Sequence, residues 1–304
     1  MSIIQLIESK IQDLSFNETP VVVISGPTGI GKSKLAISLA KKINGVIINA
    51  DSMQIYKELK IISSQPSDRD KKIISHELYS IRSIHQNFSV MDWLELVKKK
   101  IDVVFSKNKI PIVVGGTGLY IKSAINGISK IPKVDKVVFE DCTKLFEKIG
   151  ILEFRKLVEE IDKDFILKNI DKQRLIRGYS VYLQTGQSMS EWYKTSKKNK
   201  IYNTFFSILL EQERKKNYQN CENRFEEFID KGAIEEVKFL KDKNFDRSLP
   251  GFKCLGVNWI LKYLEKEISL MEAIILSKRD TRRYVKRQLT WFRHNFNPDL
   301  ILRI

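Results

Sequence analysis

The stretch of sequence that decides the fold is Gly26-Pro27-Thr28-Gly29-Ile30-Gly31-Lys32-Ser33. It matches the phosphate-binding loop pattern G-x-x-x-x-G-K-[ST]. The β-branched apolar run at 21–24 predicts a buried strand before the loop, and 34–41 predicts a helix after it. Backbone N–H groups and the helix dipole at such a junction favour a bound phosphate. We expect Lys32 to reach the terminal phosphates and the Ser33 hydroxyl to bind Mg²⁺.

Strands alternate with helices on both sides of this loop. Further strands are predicted at 46–49, 76–81, 110–114 and 203–210, and a capping-box variant starts a helix at Ser89. Such alternation is typical of an α/β protein of the P-loop NTPase-like class, a parallel sheet with helices on both faces. The predicted domains are a first part of the core (1–132), a helical insertion (133–202), and the rest of the core (203–304), which is helical from 217 and ends in a basic helix.

Composition indicates the kind of partner. The 304 residues carry a net charge of +16, which predicts a polyanionic partner, nucleic acid first and an acidic membrane second; a lysine-rich genome is the alternative. The three cysteines and three histidines form neither a disulfide framework nor a metal cluster in sequence. The N-terminus does not resemble a signal peptide, and no apolar run approaches the ~20 residues of a membrane span. We therefore expect a cytoplasmic protein without a membrane partner.

Three loops leave strands at the edge where such sheets bind ligands, namely 26–33, 49–54 and 115–120. The strand ending at Val114 runs into Gly115-Gly116 rather than into the aspartate that many P-loop enzymes use for magnesium. Asp51 is the acidic residue at a strand end near the phosphate loop. It could bind magnesium through water, act as a general base, or cap a helix.

Basic residues dominate the last predicted helix. Arg279, Arg283 and Lys286 follow at i, i+4 and i+7 and share one face, which suits a nucleic-acid backbone or a solvated surface. Val285, Leu289 and Phe292 have the same spacing and should face the core. Within the insertion, Arg174 and Arg177 form a second candidate contact surface.

Taken together, these segments resemble the tRNA dimethylallyltransferase (tRNA isopentenyltransferase) family from about Val21 to Arg293. The matching motifs are Gly-Pro-Thr-Gly-Ile-Gly-Lys-Ser (26–33), Asp-Ser-Met-Gln-Ile-Tyr (51–56), Val-Gly-Gly-Thr-Gly-Leu-Tyr (114–120), Gln-Arg-Leu-Ile-Arg (173–177), Thr185-Gly186 with Ser190, and Thr-Arg-Arg-Tyr-Val-Lys-Arg-Gln-Leu-Thr-Trp-Phe-Arg (281–293). A phosphate loop alone occurs in many kinases. Its combination with the 51–56 and 281–293 motifs is far more specific.

The resemblance implies transfer of a dimethylallyl group from dimethylallyl diphosphate to the exocyclic amine of the adenine 3′ of the anticodon, in tRNAs that read U-initial codons. It implies that the phosphate loop (26–33) binds the diphosphate, with Mg²⁺ at Ser33. It also implies that Asp51 and Thr117 are catalytic, with Asp51 as the base. The adenine must leave its stack to react. The insertion would clamp the anticodon arm, and the last helix would follow its phosphates. The implied tRNA-binding residues are Asp51, Ser52, Met53, Gln54, Thr117, Gln173, Arg174, Leu175, Ile176, Arg177, Lys253, Asn258, Arg279, Arg283 and Lys286.

The sequence departs from the family pattern at three places. Gln65 stands where relatives carry lysine, although Ser63 keeps a hydroxyl in the same segment, and Asn258 stands where relatives carry Arg or Lys. Both changes predict a missing cation beside the diphosphate and affect turnover more than fold. The zinc finger of eukaryotic relatives is not found after the basic helix, which implies the bacterial form.

Two other classes of function remain open from the residues. One is a small-molecule enzyme, either an adenylate isopentenyltransferase or a nucleotide kinase, for which the insertion and the basic helix would be unnecessary. The other is a non-catalytic RNA-binding protein on an enzyme scaffold, which Gln65 and Asn258 favour. We expect the protein to be a monomer.

Overall fold

The structure, a computed structural model, describes residues 2–15, 18–165 and 171–304. The chain divides into two compact units, one formed by Met1–Ile125 with Ile201–Ile304 and the other by Asn126–Lys200. The helical insertion predicted at 133–202 overlaps the second unit, and its residues 166–170 lie outside the described part.

The first unit carries all the described strands. Its elements before the insertion are α1 (Ile3–Ser15), β1 (Val21–Ser25), α2 (Lys32–Lys42), β2 (Gly45–Asn49), α3 (Asp68–Ile73), β3 (His76–Glu77), α4 (Val90–Ser106), β4 (Ile110–Gly115) and α5 (Gly118–Asn126). After the insertion come β5 (Phe205–Glu211), α9 (Arg214–Asp230), α10 (Ala233–Asp242), a 3₁₀ turn (Pro250–Lys253), α11 (Val257–Leu264), α12 (Leu270–Asn295) and β6 (Leu300–Arg303).

The six strands form one parallel sheet in the order β3-β2-β4-β1-β5-β6. Val22 pairs with Ile112 on one side of β1 and with Phe206 on the other. The chain builds the sheet first to one side of β1 and then, after the insertion, to the other. Ligands of such sheets bind where the strand order reverses, which here is beyond the carboxyl end of β1.

Two apolar clusters hold the first unit together. Buried side chains of α1, α2 and the sheet form one cluster, which includes Ile24 and Leu39. The other joins the 55–62 segment to α9, α10 and α11 and includes Leu59 and Phe225. The runs of Val and Ile in β1, β2 and β4 fit strands covered on both faces.

The second unit contains α6 (Lys136–Ile161), α7 (Lys172–Thr185) and α8 (Met189–Thr195). Gly150 interrupts α6 with a φ of 78°. Phe154 and Val158 of α6 pack against Leu175 and Ile176 of α7. Within the described residues of this unit no strand forms, as predicted, and the one β contact is an isolated bridge between Ile128 and Asn199.

Two details differ from the sequence-based expectations. The strand predicted at 76–81 is confined to His76–Glu77. The segment after α12, expected to be helical, ends in the edge strand β6, which pairs with β5. Only Leu302 is buried among its four residues, so β6 lacks the continuous apolar run that marks the interior strands. The Ser89–Asp92 capping box at the start of α4 is confirmed.

No helix among the described residues has both the length and the apolar composition that crossing a membrane requires.

Candidate active site

The phosphate loop connects β1 to α2 at the reversal point of the sheet. Gly31 precedes α2 in the left-handed region, with a φ of 90°. Gly29 has a φ of 79°, and a Cβ there would come within 2.4 Å of Cys221 Sγ. Both positions therefore need glycine, the first for the backbone turn and the second also for the close approach of α9.

Lys32 folds back onto its own loop. Its ammonium donates to the carbonyl oxygens of Gly26 (2.9 Å) and Pro27 (2.7 Å). Burial lowers the pKa of Lys32 to about 8, although the Asp51 carboxylate opposes this shift; Arg224 adds to it. An anion in this position would favour the charged form of Lys32 and raise its pKa again.

Two helices from the C-terminal part of the chain hold the loop at Thr28. The side-chain amide of Asn217 in α9 donates to the Thr28 carbonyl oxygen (3.0 Å). In α12, Gln288 accepts from the Thr28 N–H (2.9 Å) and donates to the Gly116 carbonyl oxygen (2.9 Å). Gln288 thus links the first and third loops of the sheet edge.

Arg224 of α9 is a site residue that sequence reasoning missed. Its guanidinium donates to the Thr28 hydroxyl and lies 5.5 Å from the centre of the Phe228 ring. Its Nε has no hydrogen-bond partner in the described structure, and burial lowers its pKa. A half-buried guanidinium that forms no ion pair among the described residues is suited to an anionic ligand.

A spacing pattern in the sequence could have identified Arg224, although none of the quoted motifs includes this residue. Asn217, Cys221 and Arg224 follow at i, i+4 and i+7 and lie on one face of α9. The side chains of all three contact Thr28. A polar stripe within an otherwise charged helix would have identified the face that packs on the phosphate loop.

Asp51 is held in place by the residue that ends β2. The Asn49 side chain donates to the Asp51 carbonyl oxygen (2.9 Å) and accepts from the Asp51 N–H (2.8 Å). The Asp51 carboxylate accepts from the Met53 N–H (2.9 Å). No helix begins here, so Asp51 is not a helix N-cap.

The Asp51 loop in turn fixes the segment at 60–64. The side-chain amide of Gln54 donates to the carbonyl oxygens of Ser63 (2.9 Å) and Ser64 (2.8 Å). From α10, the Glu236 carboxylate accepts from the N–H groups of residues 60–62, at 2.6, 2.8 and 2.9 Å. Gln54 therefore positions the wall of the site and is itself half-buried.

Two cavities of about 270 Å³ each meet at these residues. The phosphate-loop cavity is lined by residues 28–34 together with Gln54 and Tyr79. The apolar cavity lies beside it and is lined by Met53, Phe225, Phe228, Cys254 and Tyr284, among others. The residues that line both cavities are Thr28, Asp51, Ser63, Ser64 and Arg224.

Thr117 lies at the rim rather than at this junction. Its hydroxyl accepts from the Ser52 N–H (3.0 Å), and its own N–H donates to the Ala50 carbonyl oxygen (3.3 Å). Thr117 lines neither of the two cavities but a neighbouring groove. In this structure its contact with the site passes through Ser52, which lines the apolar cavity.

The departures from the family pattern at positions 65 and 258 have separate structural explanations. Gln65 donates to the carbonyl oxygens of Tyr56 (2.8 Å) and Leu59 (3.2 Å) and accepts from the Ser80 hydroxyl (2.6 Å). Ser63 keeps its hydroxyl bonded to the Leu59 carbonyl oxygen. Asn258 is exposed on α11 and lines neither cavity, whereas Lys253 lines the apolar cavity.

A cation from α9 lies at the junction of the two cavities. Arg224 lines both cavities, whereas Gln65 and Asn258, the positions at which the sequence lacks a family cation, line neither.

The oxygen donors near Ser33 fit a magnesium ion bound together with phosphates. Ser33 lies exposed at the start of α2, and Asp51 and Gln54 line the same cavity. No group of three or more His, Cys, Asp or Glu side chains that could hold a metal occurs among the described residues. Mg²⁺ commonly takes one or two protein oxygens and completes its shell with phosphate and water, which this donor set allows.

The inserted unit contradicts part of the predicted tRNA surface. Leu175 and Ile176 are only 1% and 2% exposed and belong to the core of the unit. Arg177 is half-buried and donates to the Pro132 carbonyl oxygen (2.9 Å). Because consecutive helix positions face in different directions, the motif at 173–177 cannot present all its side chains to one partner. Gln173 and Arg174 remain exposed.

On α12, only some of the basic residues are unpaired. Arg279 lies 5.6 Å from the Trp259 ring and contacts Asp280 (3.3 Å), which also contacts Arg283 (3.5 Å). Lys286 is exposed and forms no ion pair within the described part of the chain. Val285 and Phe292 are buried as predicted, and Leu289 is half-buried.

Comparison of the sequence with known proteins agrees with this geometry. The family described as IPP transferase matches residues 54–295. A protein of Rickettsia bellii named tRNA dimethylallyltransferase is 40% identical over 286 residues, which cover 93% of this chain and 90% of the relative. The tRNA dimethylallyltransferase of Ehrlichia chaffeensis is 38% identical over 283 residues, 92% of each chain.

Solved structures show the same similarity. The full-length tRNA isopentenylpyrophosphate transferase of Bacillus halodurans superposes with a TM-score of 0.66 at 30% identity, over 94% of this chain and 89% of that one. A eukaryotic dimethylallyltransferase acting on tRNA superposes with a TM-score of 0.79 at 26% identity, over 93% of this chain and 73% of that one.

Proposed function

The chain belongs to the IPP transferase family of tRNA dimethylallyltransferases, and we propose the identities of its donor, its acceptor and the groups that act on them. The donor is dimethylallyl diphosphate. The acceptor is the exocyclic amine of the adenine directly 3′ of the anticodon, in tRNAs that read U-initial codons. The observation that carries the proposal is the pair of cavities joined at Asp51 and Arg224.

The phosphate-loop cavity suits the diphosphate. Loop N–H groups, the Lys32 ammonium and the Arg224 guanidinium would surround it, and binding would draw Lys32 away from the carbonyl oxygens of Gly26 and Pro27. These donors stabilise the negative charge that collects on the diphosphate as the allylic C–O bond breaks. Magnesium bound at Ser33 would supply further charge neutralisation on the phosphates.

The apolar cavity suits the dimethylallyl group and the adenine. Met53, Phe225 and Phe228 offer an apolar wall to the prenyl chain, and Tyr284 offers an aromatic wall. A cavity of about 270 Å³ beyond the strand ends receives a base only after it leaves its stack. The acceptor base would therefore occupy the apolar cavity while the diphosphate stays in the phosphate-loop cavity.

Asp51 then acts at the junction. As the amine nitrogen bonds to the allylic carbon, the nitrogen loses a proton to the Asp51 carboxylate and the bonding electrons of the C–O bond leave with the diphosphate. The contacts from Asn49 hold the Asp51 backbone, and the Met53 N–H holds one carboxylate oxygen, so that the other oxygen would be available to the amine. A general base is useful because the adenine amine donates its lone pair to the ring.

We further propose that the enzyme acts as a monomer, and that it acts in the cytoplasm, as expected for a protein whose relatives are named as tRNA-modifying enzymes. The test is transfer of label from radiolabelled dimethylallyl diphosphate to unmodified tRNA with Mg²⁺, beside a reaction that offers AMP. Label at the adenine 3′ of the anticodon supports the proposal. Label in AMP would make the protein a small-molecule transferase, and binding of tRNA without label would make it a non-catalytic binder.

A further inference from the structure

A third cavity, of about 230 Å³, lies between the loop after β4 and the last turns of α12. We call it the flanking groove; Thr117, Gly118, Leu119, Arg287 and Trp291 line it. The reaction proposed above places no atom of the donor or of the acceptor base in this groove.

The groove presents an aromatic surface. A Cβ at position 118 would come within 2.2 Å of the Trp291 ring, so glycine is needed for the indole to lie against the start of α5. Beside it, the Leu119 side chain is 52% exposed although it is large and apolar. A partly exposed indole next to an aliphatic side chain is a surface on which a flat ring can stack.

The groove is continuous with the apolar cavity. Tyr284 and Arg287 line both, and the Arg287 guanidinium lies 5.6 Å from the centre of the Tyr284 ring. On the opposite side Thr117 bonds to Ser52, which lines the apolar cavity. A ligand in the groove and a ligand in the apolar cavity would therefore both contact Tyr284 and Arg287.

The charge of α12 beside the groove matches a polyanion. Arg283, Lys286 and Arg287 are exposed on α12, and Asp280 is the acid that contacts Arg283. Lys286 and Arg287 form no ion pair in the described part of the chain. Cations beside an aromatic platform are typical of proteins that bind the backbone and the bases of a single strand.

From this continuity we propose that the flanking groove binds the base of a nucleotide adjacent to the acceptor adenine, stacked on Trp291 beside Leu119. The proposal rests on the proposed function, because it needs an RNA acceptor in the apolar cavity. It makes Trp291 and Leu119 determinants of acceptor choice, whereas the transferred group is unaffected. The groove would thereby distinguish a nucleotide within an RNA strand from a free one.

The test uses anticodon stem-loops that carry an abasic nucleotide on the 5′ or the 3′ side of the target adenine. For one of the two sides, we expect the abasic substrate to raise KM about tenfold with the wild-type protein, in the range for one lost stacking contact. In Trp291→Ala the same abasic change should have no further effect, and Trp291→Phe should keep most of the wild-type response. Equal losses in wild type and Trp291→Ala would overturn the proposal.

A second readout does not depend on turnover. 2-Aminopurine at the flanking position should lose fluorescence on binding the wild-type protein, and lose less on binding Leu119→Ala, whose exposed position leaves the fold intact. Unchanged quenching in Leu119→Ala and in Trp291→Ala would contradict the groove as the site of this base. Failure of the proposed function has a different signature, since wild-type protein would then transfer label to none of the stem-loops.

Discussion

The phosphate-loop cavity and the apolar cavity are of equal volume and share a wall, but they are built in different ways. Consecutive residues from 28 to 34 line about half of the first cavity, and we propose that they bind the diphosphate largely through backbone N–H groups. Side chains from segments near residues 52, 62, 224, 254 and 284 supply the second. A site whose ligand contacts come from the backbone is therefore visible in the sequence as a contiguous motif. A site built from side chains is spread over distant positions of the sequence.

Asp51 and Arg224 belong to both cavities, and they differ in the same way. Asp51 follows a strand end within a motif, whereas Arg224 lies in mid-helix with no motif around it. We expect both to affect the chemical step, because both lie where the donor and the acceptor meet. The predictions below separate these shared residues from those that serve one cavity only.

The largest effect should come from Asp51→Asn. The amide keeps an oxygen that can accept from the Met53 N–H but cannot take a proton from the acceptor amine. We expect kcat to fall at least about 100-fold, the range for losing a general base, while tRNA affinity stays nearly unchanged. Single-turnover transfer of label together with a tRNA binding titration measures both. Unchanged turnover would remove Asp51 from the mechanism.

The next effect should come from Arg224→Met. Losing a charge-assisted contact to the diphosphate should lower kcat/KM for dimethylallyl diphosphate about 10- to 100-fold. The same change removes a half-buried cation whose Nε has no hydrogen-bond partner in the described structure, so Tm should stay level or rise. Arg224→Lys is the matched control and should keep part of the activity. A lower Tm with normal kinetics would make Arg224 structural.

A smaller effect concerns pH and only the phosphate-loop cavity. The pKa of Lys32 is about 8 in the free protein, so diphosphate affinity should be highest below pH 8 and fall by at most about tenfold per pH unit above it. Calorimetry with inorganic diphosphate measures this. Lys32→Arg keeps its positive charge above pH 8, so its diphosphate affinity should not show this fall. Only the pH dependence caused by titration of the ligand itself should remain.

Stability should move in the opposite direction over the same pH range. The pKa of Lys32 is lowered in the folded state from 10.5, so between about pH 8 and 10.5 the unfolded state binds more protons. The unliganded protein therefore gains stability as pH rises through this window, relative to Lys32→Arg. A parallel response of the two proteins in chemical denaturation would show that Lys32 keeps its ordinary pKa.

The smallest effect should come from Asn258→Arg, which restores a family-like cation. Because Asn258 is exposed and outside both cavities, we expect kcat/KM to change less than about twofold, within the usual range for a surface substitution. Lys253→Ala, at a position that lines the apolar cavity, is the informative comparison and should weaken tRNA binding more. A large gain in Asn258→Arg would indicate that Arg224 does not replace the missing cation.

The sequence was sufficient to predict those parts of the molecule whose structure depends on a pattern of neighbouring residues. The phosphate loop, the interior strands and the Ser89 cap belong to this class, because glycine spacing, apolar runs and capping pairs act over a few residues. The position of Asp51 followed from the end of β2. β6 was missed because an edge strand with one buried residue has no such pattern.

The remaining site residues depend on tertiary packing. Arg224 lies in the site only because α9 packs on Thr28. Leu175 and Ile176 do not belong to a tRNA-binding surface, because α7 directs their side chains into the core of the second unit. The motif at 173–177 contains both core residues and exposed residues. The sequence pattern alone does not tell which are which. Thr117 likewise follows a glycine pair at a strand end, yet its hydroxyl bonds to Ser52 at the rim.

The most direct measurement of the central claim is whether the two cavities hold donor and acceptor at the same time. An anticodon stem-loop is titrated into the protein alone and into protein saturated with a thiolo analogue of dimethylallyl diphosphate that cannot react. We predict that the stem-loop binds in both cases with equal or higher affinity in the second, and that Lys32→Met weakens only the analogue. Competition between the two ligands would contradict the division of the site at Asp51 and Arg224.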